Sequence, residues 1–228
     1  MAHAKGGHVL SGQKVRVPIL PKRTILPALM ALALLGGCAG GSGGGYGLSY
    51  YRLIEPGPEE VARGSMTVTP TIRWNRAPRG RDQISRQEDW TLNGPLLDGL
   101  SFIGGLEHDK RIVQQRRKAD RKVPNFRADM SPPEIGAMIE SFYRVRAGAS
   151  RFNVVGMQPR SFAASPGFQY DFDYLGGDEV WRRGRAVGAI VEGRLYLVLL
   201  DAARAHYFPA VLPEFERIVE SARIRRQR

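Results

Sequence analysis

The chain holds one cysteine, Cys38, in 228 residues. A single thiol excludes an intramolecular disulfide and any zinc site that needs two thiolates. Long apolar runs are missing too. The uninterrupted run Ile25 to Leu35 has 11 residues, whereas a membrane span needs about 20. No acid occurs before residue 38. Lysine is nearly lacking beyond that point, with only Lys110, Lys118 and Lys122. No catalytic or metal motif stands out along the chain.

What is present divides unevenly. Of 34 basic residues, five (Lys5, Lys14, Arg16, Lys22 and Arg23) lie in the first 37, which leaves 29 against 22 acids. The net charge of +12 therefore falls to +7 for residues 38–228. Such a balance is short of a dedicated nucleic-acid binder, whose charge gathers on one face or helix. Hydrophobic content of 43% with 25% charged residues is that of a globular protein rather than a disordered one. Removing 37 residues leaves 191, a length for one domain with tails.

Bases up to Arg23, the 11-residue apolar run, and small residues at Gly36, Gly37, Ala39 and Gly40 are the three parts of a secretory signal. The stretch Leu35-Gly36-Gly37-Cys38 resembles the lipobox of bacterial lipoproteins. That resemblance implies cleavage between Gly37 and Cys38, a diacylglyceryl group on the Cys38 thiol, and membrane attachment through it. More than one acyl chain is needed for firm anchoring, because each buried methylene contributes about 0.8 kcal/mol. The resemblance also implies an address. Lipoproteins held in the inner membrane tend to carry Asp after the cysteine. Here Ala39 follows, which points to the periplasmic leaflet of the outer membrane. An exported, anchored chain has no nucleic acid to meet.

Residues 39–47, AGGSGGGYG, form a flexible tether with a root-mean-square span of about 15–18 Å. A phosphate-binding loop would need a preceding strand and a following helix, which this run does not have. The expected organisation is a signal peptide over 1–37, an acylated cysteine with tether and irregular arm over 38–64, one domain over 65–224, and a basic tail over 225–228.

Within the domain, β-branched alternation predicts a strand from Ser65 to Trp74, bent at Pro70. Short strands are expected at 88–92 and 100–103, and a long polar loop at 107–129. Ser131-Pro132-Pro133-Glu134 has the form of a capping box with proline at the first helical position. Ile135, Met138, Ile139, Phe142 and Tyr143 continue at helical spacing, so a central helix is expected over about 131–146. A strand at 151–157 follows. Phe168, Tyr170, Phe172 and Tyr174 then alternate with Gln169, Asp171 and Asp173, giving one aromatic and one polar face. The apolar runs 186–191 and 195–200 meet at Glu192-Gly193, a hairpin signal. Both faces of the second run are apolar, as in a strand covered on both sides. Val211, Leu212, Phe215, Ile218, Val219 and Ala222 mark an amphipathic helix over about 208–223.

This order predicts an α+β fold, an antiparallel sheet sandwiched by the two helices. The last hairpin, the loop Asp201 to Tyr207 and the closing helix ending Phe215-Glu-Arg-Ile-Val-Glu-Ser221-Ala-Arg223 resemble the layout of the PsbP-like fold. That resemblance implies a non-catalytic binding or assembly factor, with no cofactor and no residue role to carry over.

Four groups of residues are candidates for chemistry. His206 could be oriented by Asp201 and activate Ser221, but Ser221 sits in no nucleophile elbow. His108 and Asp109, beside Glu107, could hold a metal, although adjacent residues rarely converge on one ion. Asp171 and Asp173 could serve an envelope hydrolase as acid and base; pairing with Arg182 or Arg183 is the plainer reading. Finally Arg116, Arg117, Lys118, Arg121 and Lys122 form a basic stretch suited to anionic lipid. The favoured function is a lipid-anchored module that binds an envelope protein or component without catalysis. A purely structural tether is a further alternative.

The lipobox reading predicts that Cys38→Ser abolishes lipidation and leaves unprocessed precursor, because a hydroxyl does not replace the thiol nucleophile. Metabolic palmitate labelling measures this, and label retained by the mutant would sink it.

Overall fold

The structure, a computed structural model, describes residues 50–114 and 123–225. The signal, Cys38, the tether and residues 226–228 lie outside the described residues. Among the described residues no helix is long and apolar enough to cross a membrane.

Eleven strands and two helices follow in chain order among the described residues: β1 (Arg52–Ile54), β2 (Glu59–Val61), β3 (Met66–Val68), β4 (Trp74–Arg76), β5 (Gln87–Thr91), β6 (Asp98–Leu106), α1 (Pro132–Arg146), β7 (Arg151–Pro159), β8 (Phe168–Leu175), β9 (Trp181–Val191), β10 (Arg194–Ala203), α2 (Tyr207–Ser221) and β11 (Arg223–Ile224). Eight strands form one antiparallel sheet in the order β1-β4-β5-β6-β10-β9-β8-β7, and three form a small sheet in the order β11-β3-β2. The α+β class expected from the sequence is the one observed.

Strand β10 explains the layers. Leu195, Leu197 and Leu199 point into the core shared with α1, while Tyr196, Val198 and Leu200 point into the core shared with α2. All six are buried. Burying a side chain of this size contributes about 1.5–3 kcal/mol, so a strand with no polar face must be covered on both sides. The turn from β9 to β10 uses Glu192 at φ 50° and Gly193 at φ 72°, the left-handed pair that two-residue hairpins require.

Helix α1 begins as its sequence indicates. The Glu134 carboxylate accepts hydrogen bonds from the Ser131 N–H and Oγ, both at 2.8 Å. Those bonds, with help from Arg127, pull the Glu134 carboxyl down to about 2. Ile135, Met138, Ile139, Phe142 and Tyr143 are all buried, against the aromatic face of β8.

Several expectations need correction. The run 65–74 is two strands in different sheets, since Pro70 and the bend after it end β3 before β4 starts. The arm before residue 65 is not irregular: β1 pairs with β4 and β2 with β3, and Ile54, Val61 and Ala62 are buried. The loop 107–129 is not merely polar. Ile112, Val113, Val123 and Phe126 are buried under α1, and Arg111 bridges Asn125. The last helix stops at Ser221, after which Arg223 and Ile224 pair with Thr67 and Met66.

One outer strand, β7, is half exposed. Val154 and Val155 are 62% and 52% exposed, and the register to β8 slips between Val154 and Gly156, the mark of a bulge.

These contacts set where the folded unit starts. A chain of residues 65–228 lacks β1 and β2 and bares Trp74 and Met66. Three lost side chains at about 1–3 kcal/mol each rival a whole domain's stability of about 5–15 kcal/mol. Residues 48–228 are therefore expected to melt cooperatively in urea, and residues 65–228 to show no cooperative transition. Equal midpoints for the two would refute the structural role assigned to β1 and β2.

Candidate functional site

None of the enzyme-like groupings in the sequence is assembled. His206 is exposed at the N-cap of α2, its ring set edge-on to Tyr207 at 5.1 Å. Asp201 does not orient it, because that carboxylate is engaged by Tyr143 and Tyr174. The Ser221 Oγ accepts from the Thr69 N–H at 2.8 Å and donates to the Ile218 carbonyl at 2.9 Å, so it splices α2 to the end of β3.

Asp171 and Asp173 are closed by guanidinium groups. Arg185 meets Asp171 at 2.6 Å and reaches Glu216 of α2 at 2.6 Å; Arg183 meets Asp173 at 2.8 Å. Arg160 joins from the far end, bonding Gln169 and Glu216. The polar face of β8 is thus an ionic clamp holding α2. The Arg183 pairing is the one expected, whereas Arg182 pairs with Asp178 instead. His108 sits 3.7 Å from Asp109, both well exposed, and among the described residues no three potential ligands gather for a metal. Arg116, Arg117, Lys118, Arg121 and Lys122 lie outside the described residues, as do Gly37 and Cys38.

The structure offers a different site, on the α1 side of the sheet near the end of that helix. Asp201 continues the inward register of Leu195, Leu197 and Leu199, and so places a carboxylate where a core residue belongs. Its neighbour on β6 is Gly99, where a Cβ would stand 3.2 Å from Asp201 Oδ1. The missing side chain leaves a depression, and a cleft of about 510 Å³ opens over it.

The floor is a bonded network. Tyr174 donates its hydroxyl to Asp201 at 2.6 Å, and Tyr143 from α1 does so at 3.3 Å. Arg146, at the last turn of α1, donates to Asp89 of β5 at 2.7 Å and to Asp82 at 3.0 Å, and its guanidinium lies 5.1 Å over the Phe142 ring. Asp89 also accepts from Ser101 and Gln83, each at 2.6 Å. Across the cleft, Arg182 holds Asp178 through two bonds of 2.8 Å and the Leu96 carbonyl at 2.7 Å. Asp98, buried behind the rim, accepts from Thr91, the Leu92 and Asn93 N–H groups and the Asn93 amide, which pins the β5–β6 turn.

The titration behaviour follows from these contacts. Burial raises the Asp201 carboxyl above its ordinary range, against the opposing pull of the tyrosine hydroxyls, Arg182 and Arg146. Burial acts the same way on Asp89, but there Arg146 and the hydrogen bonds outweigh it and the net shift is downward. Arg182 draws Asp178 down to about 2. Burial and Asp201 lift both Tyr143 and Tyr174, so the phenols stay neutral donors. The arrangement supplies a hydrogen-bonded polar floor in which Arg146 and Arg182 are ion-paired and Asp201 is held by neutral phenols. Leu96, 73% exposed, and Tyr51, 46% exposed, form an apolar rim above it.

Sequence reasoning placed Asp201 beside His206 and read Tyr143 as plain core. The usable signal was the odd-numbered face of β10, on which a carboxylate follows three leucines.

No known protein family matches the sequence, and no curated protein matches it significantly. Solved structures resemble its fold at low identity. The cyanobacterial PsbP (CyanoP) of Synechocystis shares 13% identity over 81% of this chain and 98% of its own, with a TM-score of 0.49. The Saccharomyces cerevisiae Ran-binding protein Mog1p shares 7% over 77% and 96%, with a TM-score of 0.45. LpqN of Mycobacterium tuberculosis, involved in cell envelope biogenesis, shares 11% over 79% and 87%, with a TM-score of 0.33.

The network predicts a pH signature. A carboxyl whose folded pKa is raised binds its proton more tightly in the folded state. Its share of stability is present below the ordinary Asp value and is lost as pH rises through the folded value. Asp201→Asn cannot ionise and keeps an acceptor for a tyrosine. Its melting temperature should gain on the parent as pH rises from 4 to 8, by a few degrees if the effect is on the order of 1 kcal/mol. A difference that is constant over that range would contradict the raised Asp201 pKa.

Proposed function

We propose that this chain is a lipid-anchored protein of the bacterial cell envelope whose domain holds an envelope protein or component in the cleft over Asp201 without transforming it. Anchoring rests on the sequence: Leu35-Gly36-Gly37-Cys38 at the end of an apolar run, with a glycine tether behind it. The outer-membrane leaflet is the proposed address, on the strength of Ala39. One observation carries the binding role. An exposed apolar rim stands over a floor whose polar side chains already have hydrogen-bond partners, so the cleft can exclude water around a guest without leaving those donors and acceptors unsatisfied. Asp171 and Ser221 are meanwhile engaged in holding α2, and Asp173 is paired with Arg183 and Arg204.

Site-specific photocrosslinking in intact cells tests the role. A photoreactive residue in place of Leu96 should give one discrete adduct that the same residue in place of exposed Glu220 does not give. Adding Tyr51→Asp should weaken that adduct severalfold. The same products from both positions, or none from Leu96, would remove the cleft as the binding seat. Label at Leu96 that depends on an intact Cys38 would tie the two halves of the proposal together.

A further inference from the structure

The cleft over Asp201 is uneven in charge. Four carboxylates line it, Asp89, Asp98, Asp178 and Asp201, against two guanidiniums, Arg146 and Arg182. Both guanidiniums are taken, Arg146 by Asp89 and Asp82 and Arg182 by Asp178. Asp98 is 2% exposed and closed by Thr91, Asn93 and two backbone N–H groups, so a guest does not reach it. Asp201 stands apart. Among the described residues no guanidinium or ammonium forms an ion pair with it, and its hydrogen bonds come from the phenols of Tyr174 and Tyr143. It is only half-buried and keeps surface on the cleft. The opening lies at Oδ1, where Gly99 contributes no side chain.

Two neutral donors do not complete such a group. An ionised carboxylate offers about four acceptor sites on its two oxygens, and the phenols use two. They bring hydrogen bonds but no positive charge. The carboxyl is raised chiefly by burial, as expected where no counter-ion is in contact. Above it the wall changes character: Tyr51, Pro95 and Leu96 are exposed and present apolar surface. A guest that suits both levels has a positive end on an apolar stem. A lysine side chain has that form, a compact ammonium on a flexible four-carbon stem that packs along apolar surface. Arginine suits it less, because a planar fork asks for both oxygens at once and the opening is at one.

We infer that the cleft takes a lysine side chain of a protein partner, its ammonium paired with Asp201 Oδ1 and its methylenes against the apolar rim. This rests on the cleft being the binding seat and names what is bound there.

Isothermal titration of the full chain in a neutral detergent tests it with two end-blocked tripeptides, Gly-Lys-Gly and Gly-norleucine-Gly. Their central side chains share the four-carbon stem and differ in the ammonium. The lysine peptide should bind at least about tenfold more tightly, the size expected of a charge-assisted bond. Asp201→Asn should abolish that preference, while Glu220→Gln, on the exposed face of α2, keeps it. Should Asp201→Asn fail to fold, Gly99→Ala retains the carboxylate, sets a methyl 3.2 Å from Oδ1 and must also weaken lysine binding. The parent's preference should grow as pH rises from about 4 to about 8, because the ionised carboxylate is the form that pairs with ammonium. The groups facing Asp201 do not titrate over that span: Arg146 and Arg182 stay charged, Tyr143 and Tyr174 are lifted and stay neutral, and Asp89 and Asp178 are lowered and stay ionised. Equal binding of the two peptides while the Leu96 crosslink forms overturns this inference and leaves the cleft as a binding seat. Equal binding with no crosslink overturns both. A lysine preference that ignores pH, or that survives in the folded Asp201 and Gly99 variants, puts the ammonium elsewhere and overturns the inference.

Discussion

Strand β10 has to be hidden from water on both of its faces, and the layout of the domain follows from that demand. Its odd-numbered leucines and even-numbered apolar residues feed two separate cores. One face takes α1 and the aromatic side of β8; the other takes α2 and the small sheet. Asp201 is where the pattern breaks. Its carboxylate sits on an inward register, so the structure has to supply donors for it, and Tyr143 and Tyr174 do so from two different elements.

That substitution of bonding for packing has a long reach. Arg146 carries the network from the end of α1 to Asp89 and Asp82, and Arg182 ties the β8–β9 turn to the Leu96 carbonyl. Removing one partner of a buried ion pair leaves the other uncompensated, which costs more than the pair gains. The floor of the cleft is therefore rigid for the same reason that it is expensive to alter. The clamp of Arg160, Arg185, Asp171 and Glu216 does for α2 what Arg146 does for α1.

Much of this was legible in the sequence wherever a pattern ran long enough to repeat. Alternation over Phe168 to Tyr174, the doubly apolar run at Leu195 to Leu200, the Glu192-Gly193 turn and the Ser131 to Glu134 box all correspond to observed features. Strands β1, β2 and β11 were hidden because two or three residues show no period; their place is set by pairing partners far along the chain. The buried Ile112, Val113, Val123 and Phe126 were masked by the polar residues between them. The site was harder. Asp201 could be found by extending the β10 register, but nothing local marks Gly99 as the space beside it. Nor does spacing reveal that Glu216, from another layer, bonds Arg185.

The bulge in β7 bears on how copies of the protein meet. That strand ends the large sheet, and its outer row of N–H and C=O groups is unpaired among the described residues. A flat edge of nine residues with Val154 and Val155 exposed would be a template for strand pairing with a second copy. The slipped register at Val154 to Gly156 interrupts the run near its middle. A neighbouring strand could align with one half of β7 but would be thrown out of step with the other, which limits such a pairing to a few hydrogen bonds.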